Sequence, residues 1–197
     1  MPQFSRIAGD AVLDLVNTVE WRLDDETRIE DLRSYDDVLD WCLQAGFLTA
    51  SEKKALSIAA GDDTAAADRQ RASVIALREA LYRVLFDGDA EAARHLTEAH
   101  RRSLRYASLT PTDVGWEWRD AELTVRTPVD RVARAVPTLL ARPDLDRLHQ
   151  CEDARCGWVY LDTSPRRNRR WCVASDCGDR NRARAYYARK TGRADAG

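Results

Sequence analysis

Four of the five cysteines in this 197-residue chain lie within 27 residues, and their spacing constrains the fold more than any other feature. Cys151 and Cys156 form one C-x4-C pair, Cys172 and Cys177 form a second, and fifteen residues separate the pairs. Zinc in a structural site takes four soft ligands in a tetrahedron, with sulfur at about 2.3 Å. The spacing therefore predicts one structural zinc ion. Four thiolates leave no open position for water, which disfavours a catalytic zinc.

Three other uses of these cysteines compete with zinc: two disulfides, a redox pair and an iron–sulfur cluster. The start of the chain, MPQFSRIAGDAVLDLV, lacks a basic region followed by an apolar stretch, so we expect a cytoplasmic protein, in which disulfides are rare. The C-x4-C spacing differs from the Cys-x-x-Cys of thioredoxin-like sites. His149 is an alternative ligand, whereas Cys42 lies on an apolar stripe and is expected in the core.

Basic residues are concentrated around the four cysteines. Residues 1–149 carry 20 basic and 27 acidic side chains, whereas residues 150–197 carry 11 basic and 6 acidic ones. A basic segment on an acidic body is typical of a protein that binds a polyanion such as nucleic acid. A solvated charged surface, or a tail that docks on the acidic body of the same protein, is the alternative.

The first 148 residues read mainly as helices, because apolar residues recur at intervals of three and four. One stripe covers residues 12–19, and a second covers residues 32–43 and stops near Gly46. A capping-box spacing begins a third helix at Thr49, and residues 64–86 form the longest candidate. No apolar run approaches the roughly 18 residues of a membrane span, so we expect no membrane partner.

The pattern changes after these helices. Residues 114–126 alternate large apolar and polar side chains, which predicts a β-hairpin that turns at RDAE. Pro128 then begins a helix over residues 128–141, and Pro137 should kink it or end its first half.

Between the two cysteine pairs, WVYL predicts a strand and RRW predicts a second strand that returns to the metal. Trp158 and Trp171 are expected to cover the site. After the last cysteine, residues 179–190 predict a basic helix that Asp179 caps at its N-terminus. Arginine and lysine on such a helix suit phosphate contacts, and arginine also suits guanine edges.

The run C-x4-C-G-W-V-Y-L-D-x-S…R-R-W-C-x4-C-G-D-R resembles the CGNR zinc-finger family of bacterial proteins. AVLDLVNTVEWR and DLRSYDDVLDWCLQAGFLT resemble the opening helices of the ABATE domain that usually precedes that finger. The resemblance covers nearly the whole chain. Such proteins are regarded as stress-responsive transcription regulators, so the resemblance implies that the finger binds DNA and that the helical domain senses a small molecule. It also implies that Cys151, Cys156, Cys172 and Cys177 bind zinc and that Arg169, Arg170 and Arg180 are basic motif residues.

Asp179 stands where the family has its signature asparagine. If this residue only caps a helix, aspartate serves equally well. If the asparagine reads adenine through a bidentate contact, aspartate cannot supply the donor.

These inferences combine into one prediction. The fold is mainly α: a helical N-terminal domain with a small β-hairpin, residues 1–148, precedes a treble-clef-like zinc finger with a basic helix, residues 149–193. The predicted function is zinc-dependent DNA binding in transcription regulation, and the alternative is an adaptor whose basic finger docks on an acidic protein. No catalytic constellation stands out, so we do not expect an enzyme. A homodimer would strengthen the weak binding of a lone finger.

Two sets of binding residues accompany this prediction. The predicted DNA contacts are nine basic side chains: Arg166, Arg167, Arg169, Arg170, Arg180, Arg182, Arg184, Arg189 and Lys190. Asn17, Arg22 and Arg78 are predicted to bind a small anionic effector in the helical domain, and the alternative for them is an internal salt bridge.

Overall fold

A computed structural model describes residues 4–194 of the chain, with side chains up to residue 190. These residues form seven α-helices: α1 (Ala11–Val16), α2 (Tyr35–Ala45), α3 (Ala50–Asp62), α4 (Thr64–Asp87), α5 (Ala90–Leu104), α6 (Thr127–Leu140) and α7 (Asp179–Ala194). They also form six short strands: β1 (Val19–Glu20), β2 (Ile29–Glu30), β3 (Ala107–Thr112), β4 (Gly115–Asp120), β5 (Leu148–Gln150) and β6 (Val159–Leu161). The predicted mainly α fold with a small hairpin and a C-terminal zinc finger is confirmed.

The chain divides into two compact units. The helical unit comprises residues 31–142 together with Phe4, and the finger unit comprises residues 5–30 together with the described residues from 143 onwards. The N-terminal segment therefore folds with the C-terminal cysteines, although more than a hundred residues separate them in the sequence. The predicted domain boundary after residue 148 follows sequence order, and as a statement about domains it stays a prediction.

Side-chain caps and an apolar core shape the helical unit. A capping box begins α3 at Thr49 and Gly46 ends α2 with a φ of 82°, as the sequence predicted. A second capping box, which was not predicted, begins α2 at Ser34. Helix α4 packs against α2, α5 and α6 and buries Leu77 and Leu81 almost completely. Burial stabilises the folded state by roughly 1.5–3 kcal/mol for each such leucine.

Helix α6 runs through Pro137 to Leu140, so the proline does not end the first half of the helix. The other expectation, a kink at Pro137, stays a prediction. Proline has no N–H for the carbonyl four residues earlier, which here belongs to Ala133. His100 in α5 lies with Nδ1 at 3.3 Å from that carbonyl oxygen. Because a carbonyl only accepts, the Nδ1–H tautomer donates this bond and replaces the missing backbone donor.

The hairpin exists, but its predicted position was wrong. Strands β3 and β4 pair antiparallel with Thr112 opposite Gly115, so the turn is formed by residues 113–114 and not by RDAE. Residues 114–126 supply only the second strand. The first strand contains Pro111, and a proline inside a run demotes it as a strand candidate, which is why the sequence pattern concealed it.

In the finger unit, α1 is shorter than its apolar stripe predicted. The helix ends at Val16, and Val19 belongs to strand β1. Strand β6 pairs antiparallel with β5 and contacts α1. The predicted return strand at residues 169–171 was wrong, because those residues form no strand and β5 occupies the pairing edge of β6.

No helix within the described part of the chain combines the length and the apolar composition that spanning a bilayer requires.

Candidate metal centre

The structure brings the four predicted zinc ligands together. The sulfur atoms of Cys151, Cys156, Cys172 and Cys177 all lie within 4.8 Å of one another, and all four residues are buried. Sγ of Cys172 lies 3.6 Å from Sγ of Cys156 and 3.4 Å from Sγ of Cys177. A zinc tetrahedron with bonds of about 2.3 Å has sulfur–sulfur edges of roughly 3.8 Å. The donor set therefore fits one structural zinc ion, as the spacing predicted.

Four thiols this close need a cation in order to ionise together. Burial raises the pKa of Cys177, and hydrogen bonds with the thiols of Cys151 and Cys156 raise the pKa of Cys172. A divalent cation reverses both effects because it deprotonates a coordinating thiol outright. Zinc binding at this cluster is thus coupled to proton release and to folding of the surrounding chain.

The first cysteine pair is shaped by a buried aspartate and a glycine. Asp153 is fully buried; its Oδ1 accepts from the N–H of Arg155 at 3.1 Å, and its carbonyl accepts from the N–H of Cys156 at 3.1 Å. Gly157 has a φ of 71°, and a Cβ there would lie 2.8 Å from Cβ of Arg22. Only glycine satisfies both the left-handed backbone and this close approach.

The second pair is spanned by a π-helical turn, Ala174–Gly178, that continues directly into α7. Asp179 has helical angles, φ −65° and ψ −43°, whereas an N-cap residue is extended. Its carboxylate accepts from Arg182 and not from the start of the helix. The predicted capping role for Asp179 was therefore wrong, because no separate helix start exists at this position.

Aromatic and basic side chains enclose the cysteines. Trp158 and Trp171 pack against the cluster, as predicted. The guanidinium of Arg169 lies 3.9 Å from the ring centroid of Tyr160 and donates to the carbonyls of Trp171, at 3.0 Å, and of Cys172. Arg169 thus holds the backbone of the third ligand in place.

A polar network that the sequence analysis missed joins the first cysteine pair to α7. Oδ2 of Asp153 accepts from Nδ2 of Asn181 at 2.7 Å and lies 3.4 Å from the guanidinium of Arg184. Asn181 also donates to the carbonyl of Cys177 at 2.8 Å. The sequence contains both residues, an aspartate between the paired cysteines and a single asparagine among the arginines that follow the last cysteine. Each of them taken alone, however, is typical of a solvent-exposed side chain.

Arg180 lies at the centre of the same network. It donates to Sγ of Cys177 at 2.9 Å and to Asp176 at 2.5 Å, and its Nε lies 3.6 Å from Asp153. Its guanidinium stacks over the ring of Trp21 at 4.5 Å from the centroid. A cation beside a zinc-bound sulfur stabilises the thiolate and orients the ligand, which is how residues beyond the direct ligands tune a metal site.

The N-terminal segment completes the finger unit. The amide of Asn17 bonds both backbone groups of Val159, with Nδ2 to the carbonyl at 2.9 Å and Oδ1 to the N–H at 2.8 Å. Nε1 of Trp158 donates to the carbonyl of Val19 at 2.9 Å. The N–H of Arg22 donates to the carbonyl of Cys156 at 3.0 Å. These bonds attach residues 17–22 to the strand and the loop that carry the first two ligands.

The three predicted effector residues are buried and belong to different units. Asn17 and Arg22 lie in the finger unit, where Arg22 donates to the carbonyl of Val16 at 2.9 Å. Arg78 lies in the helical unit and pairs with Glu79 at 2.8 Å. The pair of Arg78 with Glu79 matches the internal salt bridge that was the alternative, whereas Asn17 bonds backbone groups. A ligand-binding role for the three residues stays a prediction.

The nine predicted DNA-binding side chains differ in how they are used. Arg169 and Arg180 are partly buried against the metal centre, and Arg170 is exposed but pairs with Glu152 at 2.6 Å. The other six are exposed: Arg166, Arg167, Arg182, Arg184, Arg189 and Lys190. Within the described residues, no side-chain hydrogen bond or ion pair involves Arg166, Arg167, Arg189 or Lys190. His149, the alternative ligand, is exposed on β5 and lies outside the cysteine cluster.

A buried four-cysteine site that anchors a basic terminal helix defines this part of the chain as a zinc finger. Residues 147–190 match the model of the CGNR zinc finger. Residues 9–143 match the ABATE model, described as "Putative stress-induced transcription regulator", and the chain belongs to this family. Both predicted resemblances are confirmed, and the description of the ABATE model is that of a regulator. Comparison with curated proteins gives no match.

Proposed function

We propose that this protein binds DNA through its zinc finger and regulates transcription, with the helical unit sensing a small ligand. The observation that supports DNA binding is that the basic side chains fall into two groups, one that contacts the metal centre and one that is exposed to solvent. Arg169 and Arg180 stabilise the metal centre, while Arg166 and Arg167 in the loop and the far end of α7 expose their cations. Rigid placement of exposed cations lowers the entropy that phosphate binding costs.

The charge balance limits how strongly one finger binds. Four exposed cations, Arg166, Arg167, Arg189 and Lys190, are free to meet phosphates, and each neutralised phosphate contributes about 0.9 to the slope of log affinity against log salt concentration. A single chain is therefore expected to bind weakly and with strong salt dependence.

The proposal is tested by DNA selection with the purified zinc-loaded protein. We expect enrichment of a defined sequence over random duplex. A variant that replaces all four free cations by glutamine should lower the salt slope by up to about 4. Arg101→Gln/Arg105→Gln, on exposed positions of the helical unit, is the control and should leave the slope unchanged.

Two outcomes would contradict DNA reading: no enriched sequence, or equal DNA binding by the four-site variant. Retention of an acidic protein together with loss of sequence selectivity would instead favour the adaptor function.

For ligand sensing we propose a cavity of about 280 Å³ in the helical unit, between α4, α5 and α6. Its lining combines apolar Leu77 and Val129 with polar His95, Arg102 and Asp130. Such a lining is typical of small-molecule sites. A thermal-shift screen of small organic anions should find a compound that stabilises the wild type but not Ala76→Trp, which fills the cavity. Equal stabilisation of both proteins would place the ligand elsewhere.

A further inference from the structure

The hairpin of the helical unit exposes large apolar side chains. Trp116 is 68% exposed, Trp118 is 49% exposed, and Leu109, opposite Trp118 on β3, is 51% exposed. Residues 109, 111, 116 and 118 share one face because their register pairs them directly across the hairpin. Exposed tryptophans on a strand with an unpaired edge mark an interaction surface.

Only one edge of this hairpin is equipped to pair. The N–H of Ala121 donates to the carbonyl of Tyr106 at 2.8 Å, so residues 106 and 121 form a hydrogen-bonded pair. Hydrogen-bonded and non-hydrogen-bonded pairs alternate from there along the hairpin, so the backbone groups of Trp116, Trp118 and Asp120 point away from β3. No hydrogen bond within residues 4–194 uses the backbone groups of Trp116 or Trp118. On the opposite edge, Pro111 occupies an outward-facing position and has no N–H, which blocks strand addition there.

The sequence of β4 is complementary to itself in one antiparallel register. When two copies of β4 meet about a two-fold axis at Trp118, residue pairs add up to position 236, so Trp116 faces Asp120 and Glu117 faces Arg119 of the second copy. The Glu117–Arg119 pairs occupy non-hydrogen-bonded positions, where opposed side chains are closest. A two-fold axis at Asp120 would instead oppose two carboxylates directly.

The same register gives hydrogen-bond partners to the unpaired backbone groups of β4 and a contact site to its tryptophans. Narrow pairs at Trp116, Trp118 and Asp120 give about six backbone hydrogen bonds across the two strands. A groove bounded by Trp118, Asp120, Arg131 and Arg134 flanks this edge. Trp116 of the second copy, opposite Asp120 and on the same face, would enter this groove. Its ring would lie beside the guanidinium groups of Arg131 and Arg134, which both pair with Asp120, and would cover this ion-pair network.

We propose that the β4 edge is a homodimer interface, in which two copies of the hairpin join through antiparallel β4 strands into a four-stranded sheet centred on Trp118. The partner is a second copy of this chain, because the charge order of the strand matches itself and the β3 edge is blocked. The interface presents two zinc fingers per particle, which would raise the avidity for DNA if the proposed function holds. The assembly itself does not depend on that function.

Charge reversal tests both the interface and its register. We expect the wild-type full chain to sediment at twice the 22.3 kDa chain mass. Arg119→Glu places two glutamates opposite each other, and Glu117→Arg places two arginines opposite each other. Each variant alone should therefore weaken the dimer at least 100-fold. Mixing the two variants restores both opposite-charge pairs and should restore a dimer that contains one copy of each.

Sedimentation equilibrium is measured for each protein and for the equimolar mixture, with circular dichroism to show that each variant is folded. Arg33→Glu, an exposed charge reversal elsewhere in the helical unit, should stay dimeric. A monomeric wild type at 100 µM would overturn the proposal, as would single variants that remain dimers. Failure of the two variants to recombine would overturn the register centred on Trp118.

Discussion

The helical unit buries apolar side chains such as Leu77 and Leu81 between helices, whereas the finger unit surrounds four buried thiols and the carboxylate of Asp153. The first arrangement is stabilised by the transfer of apolar surface out of water. The second places ionisable groups in a small interior, which is stable only when a cation compensates them. We therefore expect the helical unit to fold without metal and the fold of the finger unit to depend on metal.

Removing a zinc ligand should show most clearly that the two units differ in their dependence on metal. Cys172→Ser takes away one thiolate of a site that contributes about 10–16 kcal/mol of apparent binding free energy in small zinc modules. We expect amide NMR signals of the finger unit to lose dispersion while those of the helical unit remain. Cys42→Ala, which replaces a buried cysteine in the helical unit, is the matched control and should retain zinc and all signals.

The next largest effect is expected at Gly157. Alanine there adopts a left-handed backbone and brings Cβ to within 2.8 Å of Cβ of Arg22, so we expect a loss of about 2–4 kcal/mol in the unfolding free energy of the finger unit. Denaturant unfolding of the zinc-saturated protein measures this loss. Gly61→Ala, in α3 with nothing within 4 Å, should instead stabilise the helical unit by about 0.5–1 kcal/mol. Equal effects at both sites would contradict the packing described for the N-terminal segment.

A smaller effect is expected for Arg180, which donates to Sγ of Cys177. Arg180→Met removes the cation beside a zinc-bound thiolate, and we expect zinc affinity to fall by about 10-fold or more. Competition with a chromophoric chelator measures the affinity. Arg189→Met, which removes an exposed cation of the same helix that makes no hydrogen bond or ion pair within the described residues, is the control and should leave the affinity unchanged. Equal losses in both variants would indicate that the total positive charge of α7, and not the contact with Cys177, determines the zinc affinity.

The smallest predicted effect is a pH dependence of the helical unit. Hydrogen bonding from Arg131 lowers the pKa of Glu52 to about 2. Because the pKa is depressed in the folded state, this stabilisation is present above the ordinary pKa of about 4.5 and is lost as the pH falls towards 2. Glu52→Gln should therefore cost about 1–2 kcal/mol at pH 7 and much less at pH 2, where about half of the carboxylate is protonated. Denaturation curves at the two pH values check this, and an equal cost at both would contradict the ion pair.

Local sequence patterns predicted the parts of the structure that local physics determines. The capping box at Thr49, the glycine stop at Gly46 and the C-x4-C pairs each act over a few residues, so their outcome can be read from the sequence. The hairpin turn was misplaced because Pro111 concealed its first strand. The sequence could not show that the helix continues through Pro137, because a side chain from another helix, His100, bonds the carbonyl that the proline leaves without a donor.

Contacts between residues distant in the sequence also limited the prediction of the metal centre. The ligands were evident, but the contacts that position them join residues far apart in the sequence, such as Asn17 and Val159. Which arginines face the metal was equally hidden. Arg166 and Arg169 are both basic residues of the same loop, yet one is exposed and the other holds the backbone of Cys172. Charge counting cannot distinguish them, because the distinction arises only when the loop folds over Tyr160.

Zinc content together with the reactivity of the thiols tests the dependence of the finger unit on its metal most directly. Elemental analysis of the purified protein should find one zinc ion per chain. The four site cysteines should resist alkylation until a strong chelator removes the metal, and the finger unit should then lose its NMR dispersion. A chain that contains no stoichiometric zinc, or a finger unit that keeps its dispersed signals after complete chelation, would contradict the account.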